Sequence, residues 1–268
     1  MIKEDTFCIL PYVHLYTEPK GEMKPCCIAG GFDEPINLNT MTIKDAFNSP
    51  QMKQLRKDME EGKRNKVCDV CYKREDTTGH SPRIDVFNTN PSWKKPELTE
   101  DYSVPTDFQH IDIRFSNLCN FKCRMCNHDF SSNWYEDMKK IRPQNVKETK
   151  VLKATPTIVE DLIPHLSKVK SFYFAGGEPL IMPEHYKVLK YLHNNFTKRK
   201  FYTHESTESF MEKVDISIHY NTNLSILRFE KTNLIPIWKD FKQIFLSISC
   251  DGVGIVGEYQ RTGFDTVV

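Results

Sequence analysis

No stretch of this 268-residue sequence approaches the roughly 18 consecutive apolar residues that a membrane-crossing helix needs. Its start, Met1-Ile2-Lys3-Glu4-Asp5, is charged and lacks the apolar segment of a secretory signal, so a cytoplasmic protein with no membrane partner is expected. Charge of one sign is missing too. The 37 Lys and Arg are balanced by 36 Asp and Glu, interspersed, which leaves no field to draw in a polyanion and no specific nucleic-acid signal. The sequence also lacks repeats of fixed period and low-complexity tracts, which excludes solenoids and arrays.

Cysteine, by contrast, is plentiful. Nine cysteines in a chain with no export signal point to metal ligation before disulfides, because the cytosol keeps thiols reduced. They fall into two groups, Cys8, Cys26, Cys27, Cys68 and Cys71, then Cys119, Cys123 and Cys126, with Cys250 alone. Between the groups, residues 88–105 carry three prolines and polar turn formers without a periodic apolar pattern. A linker over residues 91–105 is therefore expected between a first domain, residues 1–90, and a second, residues 106–268.

In the first part Ser49 suits an N-cap and Pro50 a first helical position, Met52, Leu55 and Met59 share a face, and Gly62 suits the stop. The helix ends just before Cys68-x2-Cys71, which predicts that this pair is presented from a loop. Pro11, Pro19, Gly21, Pro25, Gly30 and Gly31 predict a small, loop-rich domain that needs a metal to hold it. In the second part β-like runs at residues 108–115, 171–175, 215–220 and 244–249 alternate with helical patterns at 131–141, 157–169, 183–194 and 234–241. That alternation predicts an α/β fold with a parallel sheet, whose chemistry sits on loops at the C-terminal strand ends.

Two motifs fall at such ends. Cys119-Asn-Phe-Lys-Cys123-Arg-Met-Cys126 follows the first run, and three thiolates so close in sequence can converge on one metal centre. Structural zinc wants four ligands, whereas an iron-sulfur cube held by three cysteines leaves one iron open; a zinc knuckle completed by His128 is the alternative. Gly176-Gly177-Glu178-Pro179 follows the second run, where glycines allow close backbone approach to a ligand and a carboxylate can accept from an ammonium group.

In order and context, Cys-x3-Cys-x2-Cys, Gly-Gly-Glu-Pro, Asn221-Thr-Asn223 and Ser249-Cys250-Asp251-Gly252 resemble the radical S-adenosylmethionine (SAM) enzymes over roughly residues 108–268. The resemblance implies a partial (β/α)6 barrel with about four βα units. It implies that Cys119, Cys123 and Cys126 hold a [4Fe-4S] cluster whose free iron chelates SAM. Gly176, Gly177, Glu178, Pro179 and Asn223 would line the SAM site, with Glu178 and the two glycines at the methionyl amino group, Ser249 and Asp251 at the ribose and Arg261 at the carboxylate. Met125 stands where many members carry an aromatic residue, and its sulfur suits packing on an adenine ring.

The N-terminal group is similar to the twitch and SPASM auxiliary domains of those enzymes, placed here before the core rather than after it. By that likeness Cys8, Cys26, Cys68 and Cys71 hold a second, auxiliary [4Fe-4S] cluster, Cys27 being able to replace Cys26; a four-cysteine zinc site is the other reading. The implied activity is reductive cleavage of SAM to a 5′-deoxyadenosyl radical that abstracts hydrogen, fed by a reduced ferredoxin or flavodoxin-type donor and directed at a peptide or protein substrate. The competing reading is a non-catalytic metal-binding, electron-transfer or structural module. Six βα units need about 180 residues, more than residues 108–268 supply, so a truncated and inactive chain, or a barrel completed by another chain, is expected. His14, His110 and His219 read as packed or surface histidines, Cys250 as a buried strand-end thiol, and Lys198-Arg199-Lys200 as a solvated loop.

Overall fold

The computed structural model describes residues 6–146, 149–196, 198–203 and 206–264. The charged start, residues 1–5, and the last stretch of the expected core, residues 265–268, lie outside the described residues. The chain divides into two compact units.

The first unit holds the described residues through Thr17, then Gly21–Asp112 and Glu160–Val169. Strand β1 (His14–Thr17) is buried along its whole length and pairs antiparallel with β2 (Glu22–Lys24), which pairs with β3 (Ile36–Asn37). Helix α1 (Pro50–Glu60) starts as expected: the Ser49 hydroxyl accepts from Met52 N at 3.5 Å, and Pro50 loses nothing because a first-turn N–H has no helical partner. Its buried face is Met52, Leu55, Arg56 and Met59. Arg56 is fully buried, and its guanidinium donates to the carbonyls of Pro11 (2.9 Å), Phe47 (2.7 Å) and Tyr102 (3.2 Å) and to Asn48 Oδ1 (3.0 Å). No carboxylate is among those acceptors, so burial pulls its pKa down to about 10.

A 3-10 turn, Lys66–Cys68, leads into α2 (Asp69–Thr78), followed by α3 (Pro82–Thr89). The Cys68-x2-Cys71 pair is therefore helical and not on a loop. Cys68 caps α2 and Cys71 lies in its first turn. Residues 91–105, read as a linker, are bound into this unit: Val104 N donates to Asn48 Oδ1 at 3.0 Å, Lys53 pairs with Asp101 at 2.6 Å, and Lys94 N donates to Gln109 Oε1 at 3.1 Å. Strand β4 (His110–Ile113), whose first three residues belong here, runs beside β1. The unit is neither loop-rich nor a plain N-terminal block, since Phe108 N donates to His165 O at 3.3 Å and Lys168 pairs with Asp107 at 3.0 Å.

The second unit contains the short strand β5 (Lys122–Cys123), helix α4 (Tyr135–Ile141), β6 (Ser171–Phe174), α6 (Pro183–Asn195), β7 (Lys198–Thr203) and β8 (Ser206–Thr222). Then come α7 (Leu234–Lys239), β9 (Phe241–Ile248), α8 (Gly254–Gln260) and β10 (Arg261–Thr262). Strand β8 lies between β6 and β9, parallel to both, and its first half pairs antiparallel with β7. The result is a mixed α/β fold with a mostly parallel sheet. Val214, Ile216, Ile218 and Tyr220 alternate into the core from β8, as period-2 patterning requires.

The expected strand at 215–220 is thus the end of a 17-residue strand. Lys198-Arg199-Lys200 lies in β7, so the expected loop there is a strand. The helix expected over 157–169 is shorter, α5 (Ile158–Leu162), and passes into a 3-10 turn at Ile163–His165, where Pro164 removes an N–H from the ladder. Cys250 is exposed, not buried, because β9 stops at Ile248. Among the described residues no helix is long and apolar enough to cross a membrane.

Candidate metal centres

In the first unit Cys8, Cys26, Cys27, Cys68 and Cys71 line one cavity of about 220 Å³, together with His14, Pro25, Arg83, His110 and Asp112. The fold gathers them from four places: the turn before β1, the residues after β2, the cap of α2 and its first turn. Burial pushes Cys26 and Cys68 each up to about 12, and raises Cys8 well above the ordinary thiol range. The charges that add to the shift are mutual: Cys8 feels Cys26, Cys68 and Cys71, and Cys68 feels Cys26 and Cys71. Cys27 is exposed, and its charge adds to the shift of its neighbour Cys26. His14 is buried, donates from Nδ1 to Pro25 O at 3.2 Å, and stacks on His110 at 4.7 Å, so both are packed rings.

In the second unit Cys119, Cys123 and Cys126 line a cavity of about 410 Å³ that also takes in Arg114, Gly176, Gly177, Glu178, Asn223, Ser249 and Arg261. Burial raises all three thiols, Cys119 up to about 11, and the Glu178 charge adds to Cys119. The cysteine loop is braced on both sides. Trp134 Nε1 donates to Cys123 O at 2.8 Å, Asn133 Nδ2 to Cys119 O at 3.1 Å, and Ser131 Oγ to Phe121 O at 2.8 Å. Strand β10 pairs with β5 so that Arg261 faces Cys123. Arg261 Nη1 donates to Cys123 Sγ at 3.2 Å, while its Nε sits 2.5 Å from Asp251 Oδ2.

The glycines of Gly-Gly-Glu-Pro approach the chain's own backbone. A Cβ on Gly177 would stand 2.0 Å from Leu118 O, and Gly176, at φ +118°, would meet Ser116 O at 2.9 Å. This contact carries Glu178 N to Leu118 O at 2.8 Å, next to Cys119. The Glu178 carboxylate is buried and accepts from Leu180 N (3.0 Å), Thr222 Oγ1 (2.7 Å) and Asn223 N (2.7 Å), tying the ends of β6 and β8 together. Burial nevertheless raises its pKa, those hydrogen bonds opposing the shift. Pro179 opens the 3-10 turn after it. His128, the candidate fourth ligand of a zinc knuckle, does not line this cavity, and Met125 is exposed.

The residues missed by sequence reasoning are scaffold polar groups. Asn117 is buried, its Nδ2 donating to His128 O at 2.7 Å and its Oδ1 accepting from Leu152 N at 2.8 Å, which folds the cysteine loop back on itself. Ser116, Thr222 and Arg83 belong with it. An asparagine just before a cysteine triplet was the available signal. Among the described residues no three His, Cys, Asp or Glu side chains are gathered to hold a single ion; the thiols stand around cavities.

Residues 8–72 match the model of SPASM, an iron-sulfur cluster-binding domain. That span contains all five cysteines of the first group and so supports iron-sulfur binding there. Comparison with curated proteins and with solved structures finds no match.

Proposed function

We propose that this chain is a radical SAM enzyme with one auxiliary iron-sulfur cluster, its second unit being part of a (β/α)6 barrel. The carrying observation is that the three clustered thiols, Gly176, Gly177 and Glu178, Asn223 and Ser249 border one cavity. Cys119, Cys123 and Cys126 offer three ligands without a fourth, which suits a cubane that keeps one iron open. Cys8, Cys26, Cys68 and Cys71 offer a complete set, which suits a closed auxiliary cluster. Held by Cys119, Cys123 and Cys126, a reduced open-iron cluster would supply the one-electron reduction of SAM on which radical hydrogen abstraction depends. The chain's own residues bind and orient. The buried thiols lose their protons as iron binds, so loading is coupled to proton release. Arg261 fixes Cys123 through its sulfur, and Glu178 fixes the strand ends that would face SAM. A reduced ferredoxin or flavodoxin-type donor and a peptide or protein substrate complete the proposal.

The second reading, a non-catalytic metal-binding module, is favoured by one observation: the Glu178 carboxylate already accepts three bonds from the chain. Anaerobic reconstitution, iron counting and electron paramagnetic resonance with and without SAM decide between them. The enzyme reading expects about eight irons and a signal that SAM shifts. Zinc alone, or clusters indifferent to SAM, would refute it.

A further inference from the structure

Arg83 lies beyond the matched span, yet its side chain is part of the wall that Cys8, Cys26, Cys68 and Cys71 share. It is buried, at 7% exposure. Glu75 grips the guanidinium as a fork, Nε to Oε1 at 2.9 Å and Nη2 to Oε2 at 2.5 Å, and Ser81 Oγ donates to the same carboxylate. The remaining arm, Nη1, donates to Phe7 O at 2.6 Å, next to Cys8, and the guanidinium carbon stands 5.7 Å from the Tyr72 ring centroid. Glu75 is not in the cavity wall. A permanently positive group thus lines the cavity that the four thiols share, its compensating carboxylate lies outside that wall, and its charge is felt at Cys68 and Cys8.

We propose that Arg83, aimed by Glu75 and Ser81, sets the reduction potential of the auxiliary centre by stabilising its reduced form. The inference rests on iron-sulfur binding by the first unit and not on SAM chemistry. Reduction places one electron from an external low-potential donor on the centre, with no proton taken up, so negative charge grows where the guanidinium faces it. A fixed cation in a partly dry site favours that state.

The test uses the full-length chain with Cys119, Cys123 and Cys126 replaced by alanine, so that only the auxiliary centre reports. Dithionite titration of the reconstituted protein is followed by electron paramagnetic resonance. Arg83→Gln should keep about four irons and shift the reduction equilibrium toward the oxidised form about tenfold, about 59 mV for a one-electron couple. Arg83→Lys, which keeps the charge, should shift it less. Glu75→Gln, which removes the compensating charge, should shift it the other way. An iron-loaded Arg83→Gln protein with an unmoved potential overturns the inference. If that variant fails to load, an unmoved potential in Glu75→Gln overturns it. A parent that binds no iron-sulfur centre overturns the cluster reading itself, and this inference with it.

Discussion

Lowering the pH should destabilise the second unit through one histidine. His185 is fully buried, packed edge-on against Phe174 and Tyr186, and its Nε2 lies 2.8 Å from Tyr220 Oη. Trp238 Nε1 donates to that same oxygen at 3.1 Å, so the imidazole, the phenol and the indole form one buried polar chain. Burial holds the folded-state pKa down to about 3. An unfolded histidine titrates near about 6.5, so as pH falls the unfolded chain takes up this proton first. The stabilisation is whole above about pH 6.5 and is lost progressively toward about pH 3. At about pH 5 the gap is about 1.5 units, or about 2 kcal/mol at about 1.36 kcal/mol per unit. In His185→Gln the side-chain amide, which can donate or accept, keeps a polar partner for Tyr220 but does not titrate. Urea unfolding of both proteins at about pH 7 and about pH 5 should therefore show the wild type losing about 2 kcal/mol more than the variant. His219, also held below the usual histidine range by burial, contributes to both proteins and cancels. Equal losses in the two proteins would refute the reasoning.

Other perturbations reach the sites directly. Gly177→Ala drives a methyl onto Leu118 O, so it should cost about 1–3 kcal/mol and lower the iron bound at the cysteine triplet, read by unfolding and iron counting. Glu178→Gln sets an amide N–H against a donor and should lose about 1–3 kcal/mol of stability in denaturant titration. Arg56→Met strands the carbonyls of Pro11, Phe47 and Tyr102; a loss of about 3 kcal/mol or more in the first unit, seen in hydrogen exchange of α1, is expected. Cys123→Ala should abolish SAM cleavage while leaving the auxiliary cluster's spectrum in place, and loss of both spectra would show that the sites are coupled.

What was legible in the sequence was local. Ser49-Pro50 with Met52, Leu55 and Met59 announced α1 because cap, first-turn proline and helical spacing agree within a dozen residues. The alternation at 215–220 located part of β8, yet its pairing with β7 depends on partners that periodicity does not name. The cysteine triplet and the Gly-Gly-Glu-Pro turn were visible as motifs, but the glycines meet Leu118 and Ser116 instead of only making room for a ligand. Sequence separation hid the rest. Asn117 bonds Leu152, Arg261 faces Cys123 across 138 positions, and Arg83 is positioned by Glu75 behind a cavity built from Cys8.

The first unit is not one stretch of chain: it runs through Asp112, apart from Glu18–Lys20, and takes up the chain again at Glu160–Val169. Asp107 and Phe108 find Lys168 and His165 only on that second pass. No single cut in the polypeptide therefore releases this unit whole, and a gene fragment ending after the matched residues would leave α3, Arg83 and the second pass behind. Whatever recombination exchanges such a unit between proteins must join the chain at several points, or must carry the intervening residues 113–159 along as cargo.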